Sequence, residues 1–145
     1  MGKMDAQIVC VNRKDLFSND HFNGFMPADN AAFQERIDKA AHARRRGDVE
    51  EDVAVKQLIG YAVLVHRPSR TVFAFQRSAD PSKYSEKRLH GKWCWGVGGH
   101  TEATEDGIEA VEAALRRELK EEVGVEAGYA LSLLCLLYTS PSPRD

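Results

Sequence analysis

Apolar positions in this chain fall into short blocks separated by polar stretches that carry glycine and proline. Residues 7–11 (QIVCV) form a short strand candidate. Residues 12–28 contain Asn, Asp, Gly and Pro and read as a connection. Asp29 or Asn30 is placed to cap a helix running to about Arg46, with Phe33, Ile37 and Ala40 or Ala41 on its inward face at helical spacing. Residues 57–65 (QLIGYAVLV) are almost unbroken apolar and include β-branched positions, which predicts a strand buried on both faces. Arg67-Pro68-Ser69-Arg70 is turn sequence with proline second. Residues 71–76 (TVFAFQ) supply a second strand, so the pair reads as a hairpin. After a polar loop to Lys92, residues 93–97 (WCWGV) lead into Gly98-Gly99, a helix is expected over about 106–123, and 128–137 reads as one more strand. Strands and helices in this order predict an α/β sandwich.

At 145 residues, 43% hydrophobic and 29% charged, the chain is long enough for one domain with a real core. A formal charge of −2 does not favour a nucleic acid polymer as partner. The charge is uneven, with residues 83–92 basic and residues 102–126 rich in carboxylates. Cys10, Cys94 and Cys135 have no CxxC spacing, so reduced thiols are expected rather than a disulfide scaffold or a zinc site. No apolar run approaches the roughly 20 residues of a membrane span. With no signal-peptide pattern at the start, a cytoplasmic location away from membranes is the expectation. Arg44, Arg45 and Arg46 would sit in the last turn of the first helix, where cations are favoured. A phosphate-binding patch is the competing reading of the triplet.

The chemistry concentrates between Gly98 and Val125. On the expected helix, Ile108, Val111, Leu115, Leu119 and Val123 recur every three or four residues and make one apolar stripe. Glu118, Glu121 and Glu122 stand at i, i+3 and i+4, which puts three carboxylates together on another face. Like charges at that spacing repel, and a hard cation such as Mg²⁺ would relieve them, whereas a plain solvated helix face would not need one. The wider pattern decides between these. Arg117-Glu118-Leu119-Lys120-Glu121-Glu122-Val123-Gly124-Val125 after a Gly-Gly turn resembles the second half of the Nudix box, G-x5-E-x7-R-E-U-x-E-E-x-G-U with U aliphatic, at every specified position. The first half departs from it. Counting back from Arg117 gives Glu109 as the first box glutamate, whereas counting forward from Gly99 gives Glu105, a difference of four residues. Four residues are about one helical turn, so the extra length is expected to extend the helix at its start, with Gly99 as the loop glycine and either Glu105 or Glu109 as the first glutamate.

The resemblance implies an α/β/α sandwich with a mixed sheet, Mg²⁺ or Mn²⁺ as cofactor, and attack of water on the diphosphate of a small molecule. Residue by residue, it makes Glu118, Glu121 and Glu122 the metal ligands, one of them also helping to activate water. Arg117 would orient the glutamates through an ion pair to Glu121, the Gly98 carbonyl would be a further ligand, and Gly124 would end the helix. Arg77, Lys92 and His100 are candidate substrate-binding residues beside this set. Lys83, Lys87 and Arg88 could add a steering field, while Trp93 and Trp95 are expected to pack in the core or a loop.

A nucleoside diphosphate derivative or a related organic diphosphate is the expected substrate. A binding or regulatory domain without turnover is the alternative. An isopentenyl-diphosphate isomerase-like enzyme is a further one, set back because Gly98 stands where that enzyme keeps its cysteine. A homodimer is left open.

The last residues carry a separate signal. Cys135 to Asp145 (CLLYTSPSPRD) resembles the translation of a common transposon-based sequencing adapter, codon for codon. The expectation is a Nudix domain over 1–134, incomplete at its C-terminus, followed by a non-native tail over 135–145. Such a chain would have an unpaired sheet edge and exposed apolar surface, and is expected to be poorly soluble or inactive. Sequencing the source locus checks this. The genomic reading frame should depart from these codons at about residue 135, and a frame that runs through all of them would refute the adapter reading.

Overall fold

β1 (Gln7–Asn12) is the strand around which the N-terminal part assembles, and its Ile8, Val9, Cys10 and Val11 are all buried. The computed structural model describes residues 2–27, 31–80, 82, 90–104, 107–108 and 111–138. β1 is flanked on both sides, by β3 (His42–Arg45) and β4 (Val55–Gln57), both antiparallel. Ile8 and Cys10 pack with Val49 and Val55. Phe17, Phe22 and Phe33 form a cluster of edge-on rings, with centroids 5.1 to 6.2 Å apart.

The helix expected to run to Arg46 ends earlier. α2 spans Ala31–Ala40, and the next residues leave it to pair with β1 from Cys10↔His42 to Gln7↔Arg45. Pairing with an open strand edge outweighs helix propensity here. Phe33 is buried as expected, while Asp29 and Asn30 lie outside the described residues. The arginine triplet therefore does not occupy a helix C-terminus. Arg45 pairs with Asp5 at 2.8 Å and Asp48 at 3.0 Å, and Arg46 pairs with Glu50 at 3.1 Å.

β5 (Ile59–Ala62) pairs antiparallel with β10 (Val97–His100), and β6 (Val65–His66) with β7 (Thr71–Val72). The turn between β6 and β7 is closed by Arg70 N–H donating to the Arg67 carbonyl at 3.2 Å. The expectation of a strand buried on both faces does not hold. Ile59, Tyr61, Val63 and Val65 are 45 to 57% exposed on one face, while Gly60 on the other lies against α4 (Val111–Val123). Apolar composition cannot distinguish a strand covered twice from one covered once. β8 (Phe75–Gln76) and β9 (Trp93–Cys94) form a further antiparallel pair.

Two more expectations are corrected. Residues 103–108 are not the start of the helix. β11 (Ala103–Thr104) pairs with β12 (Gly107–Ile108), so the four extra residues before Arg117 are taken up by a hairpin, and Ile108 belongs to a strand. Over 128–137 a strand appears only at the end, as β13 (Cys135–Tyr138), which pairs with β2 (Gly24–Pro27).

The two halves of the molecule meet in a ring of three backbone hydrogen bonds. Val9 N–H donates to the Thr101 carbonyl at 2.8 Å, Thr101 N–H to the Leu58 carbonyl at 3.0 Å, and Leu58 N–H to the Val9 carbonyl at 3.0 Å. Thr101 is buried there, and its hydroxyl has no hydrogen-bond partner among the described residues. No described helix is long and apolar enough to cross a membrane. Cys10, Cys94 and Cys135 are free thiols, and burial raises that of Cys10 to a pKa of about 11.

The buried face of α4 is carried by Ala114 and Leu119, with Val111 39% exposed. Leu119→Ala should therefore destabilise by about 2–5 kcal/mol, and Val111→Ala by less than about 1 kcal/mol, in chemical denaturation.

Candidate functional site

The site is built where α4 crosses β10 at two consecutive glycines. A side chain on Gly99 would overlap the Glu118 carboxylate, so the missing Cβ is what lets that carboxylate lie on the strand. Directly across the ladder from Gly99, a Cβ on Gly60 would come within 2.9 Å of Leu115 Cγ. Small residues on neighbouring strands thus admit both the apolar and the acidic face of α4.

Arg117 is the hub of the charges. Its Nη1 donates to Glu118 Oε1 at 2.8 Å and lies 3.5 Å from Glu121 Oε2. Its Nη2 donates to the His100 carbonyl at 3.1 Å and lies 3.9 Å from Glu102 Oε1. The guanidinium fork therefore ties two helix carboxylates to the strand. Glu102 was not singled out in the sequence reading. Its isolated bridge to Ile8 of β1 sets its place, and that pairing has no local sequence signal. Alternate carbonyls of a strand point the same way, so the Gly98 carbonyl faces the side on which Arg117 reaches His100.

The three glutamates differ in environment. Glu118 is 14% exposed and Glu121 is 59% exposed. The Glu122 carboxyl has a raised pKa, first because the protein strips water from it and next because Glu118 carries like charge nearby, while Arg77 pulls the other way. Hard oxygen donors that repel one another are suited to a hard divalent cation. Among the described residues no group of three or more His, Cys, Asp or Glu side chains stands ready to hold a metal, and Arg117 occupies the space between the Glu118 and Glu121 carboxylates.

The remaining candidates are dispersed. Arg77 reaches the Cys94 sulfur at 3.5 Å and lies over the Phe75 ring. Burial raises the Cys94 thiol, but hydrogen bonding to the Gly96 backbone, Tyr61 and Arg77 outweighs it and leaves the thiol below its ordinary value. His100 Nε2 is 2.6 Å from Gln57 Oε1, a structural hydrogen bond. Lys92 is exposed, and its carbonyl accepts from Arg77 N–H at 3.0 Å. Trp93 and Trp95 are 72% and 67% exposed, which corrects their expected burial. Glu105, Glu109, Lys83, Lys87 and Arg88 lie outside the described residues. Gly124, at φ +68°, ends α4 in the left-handed conformation that glycine tolerates.

Comparison with known proteins bears on the family and the fold. The NUDIX domain family profile matches residues 56–145. The chain belongs to the Nudix family. It is 36% identical over 132 residues to protein YmaB of Bacillus subtilis strain 168, an alignment covering 86% of this chain and 62% of YmaB. The chain thus spans under two thirds of that relative's length. The crystal structure of Tm1382, described as a candidate Nudix hydrolase, superposes with a TM-score of 0.72 at 28% identity, over 94% of this chain and 68% of that one. The α/β architecture described above is thus the Nudix fold. Its profile begins inside β4, so β1 and β3 of this chain lie outside the matched segment.

Breaking the hub should be measurable without any substrate. Arg117→Ala leaves the largely buried Glu118 charge without its partner and should cost about 1–3 kcal/mol in urea denaturation. Arg116→Ala, which breaks an exposed pair with Glu112, should cost less than about 1 kcal/mol.

Proposed function

We propose that this protein hydrolyses a diphosphate linkage in a nucleoside diphosphate derivative or a related organic diphosphate, with Mg²⁺ or Mn²⁺. The observation that carries the reading is the Arg117 hub, which pairs with Glu118 and Glu121 while the Glu118 carboxylate lies against Gly99 of β10, in a chain of the Nudix family. Glu118, Glu121, Glu122 and the Gly98 carbonyl would hold the metal, whose chemistry is to neutralise phosphate charge and favour an ionised water. The chain's own residues prepare that site. Arg117 holds two carboxylates in place before metal arrives, so less ordering is left to be done on binding. Gly99 leaves room for the Glu118 carboxylate. One of the three glutamates would also help to activate the attacking water. Arg77, whose charge reaches Glu122, would meet a phosphate of the substrate. The substrate would be a small molecule, and the compartment would be cytoplasmic.

Phosphate release from a panel of diphosphates, with Mg²⁺ and with chelator, tests the reading. Turnover should require the metal and fall at least about a hundredfold in Glu121→Gln and in Glu122→Gln. Mg²⁺ should also raise the melting temperature of the wild type more than that of either variant. Near-normal turnover in both variants would overturn the metal-site assignment.

A further inference from the structure

A cavity of about 610 Å³ opens where β1 gives way to α1 (Arg13–Phe17), lined by Asn12, Arg13, Lys14, Phe17, Ser18, His21 and Ala54. None of these residues belongs to β10 or α4, and all precede the family-matched segment. β1 leads away from the glutamates, since Ile8 bridges Glu102 and the extended strand carries the chain about 13 Å from there to Asn12. The walls follow from local geometry. Arg13 N–H donates to the Ala54 carbonyl at 2.8 Å, which pins the start of α1. Ser18 takes a φ of 47°, unusual for a residue with a Cβ, and the chain doubles back. Asp20 N–H then donates to the Phe17 carbonyl at 2.7 Å, and the His21 ring returns to within 4.7 Å of the Phe17 ring. There His21 Nε2 lies 3.0 Å from Arg13 Nη2, and because a guanidinium only donates, the imidazole accepts.

The charge of this cavity is unbalanced. Arg36, Arg45 and Arg46 of the same part of the molecule are each paired with a carboxylate. Arg13 and Lys14 have no ion pair among the described residues, and Arg13 is half-buried. The carboxylates nearest along the chain are engaged elsewhere: Asp15 accepts from the Asn12 amide at 2.9 Å, and Asp20 pairs with Arg36. The lining therefore holds two cations and no carboxylate. A cation partly out of water is costly unless something anionic meets it. Two adjacent positive charges match a dianion, and the Arg13 fork keeps N–H groups beyond the one that His21 accepts, in a geometry suited to phosphate oxygens. The volume exceeds what a bare phosphate needs, and Phe17 and Ala54 supply an apolar wall for a small organic group.

We propose that this cavity is an anion site separate from the α4 glutamates, taking a small phosphate monoester between Arg13 and Lys14 with its organic part against Phe17 and Ala54. Phenyl phosphate, which carries one ring on a phosphate, is the probe. Calorimetric titrations in the presence of chelator keep metal from the α4 glutamates. The wild type should bind the probe saturably, and at least about tenfold more tightly than Arg13→Gln or Lys14→Gln. Glu122→Gln should bind it as the wild type does. Phenol, which lacks the anion, should not bind, and inorganic phosphate, which lacks the ring, should bind more weakly than the ester. The His21 ring resonances should shift along the same saturation curve. Thermal unfolding verifies that the variants fold, and the exposed Lys14 carries the test if Arg13→Gln does not fold. Absence of saturable binding to the wild type, unchanged affinity in the folded Arg13 and Lys14 variants, an equal loss in Glu122→Gln, or inorganic phosphate bound as tightly as the ester would overturn the site.

Discussion

The close approach of α4 to the β5–β10 ladder is the constraint on which the rest depends. A helix carrying Leu115 and Glu118 can sit this near a sheet only where the sheet offers no side chains, and Gly60 and Gly99 supply that gap. The contact does two jobs at once. Leu115 and Leu119 bury apolar surface, while Glu118 is drawn to a position that is 14% exposed. A carboxylate this far out of water would be costly without a cation, and Arg117 on the same helix provides one at 2.8 Å. The acidic face and the packing of α4 therefore rest on the same glycines.

The N-terminal strands take part in this arrangement although they lie outside the family-matched segment. Val9, Leu58 and Thr101 close a ring of backbone hydrogen bonds, and the Ile8–Glu102 bridge continues it. Glu102 thereby comes within 3.9 Å of Arg117. Each backbone donor in the ring finds its acceptor on a different segment, so the junction ties β1 to the residue between β4 and β5 and to the residue after β10. The same region uses its cations structurally: Arg45 and Arg46 are paired with carboxylates at 2.8 to 3.1 Å.

What could be read from the sequence were the features set by near neighbours along the chain. The spacing of Glu118, Glu121 and Glu122, the Arg117–Glu121 pair one turn apart, the β6–β7 turn at Pro68 and the glycine end of α4 are all local consequences of helix and turn geometry. The burial of Leu119 followed from the same periodicity.

Tertiary structure decided whatever depends on partners distant in sequence. His42–Arg45 left the helix because β1 offered an edge, and the four residues added before Arg117 became a hairpin rather than a helical turn. Whether Ile59, Tyr61, Val63 and Val65 are covered depends on what packs on their face, which their own apolarity cannot specify. Trp93 and Trp95 are exposed for the same reason, and Glu102 reaches Arg117 through a strand more than ninety residues earlier. Periodicity tells a segment which of its own residues share a face, but only the assembled chain determines what that face meets.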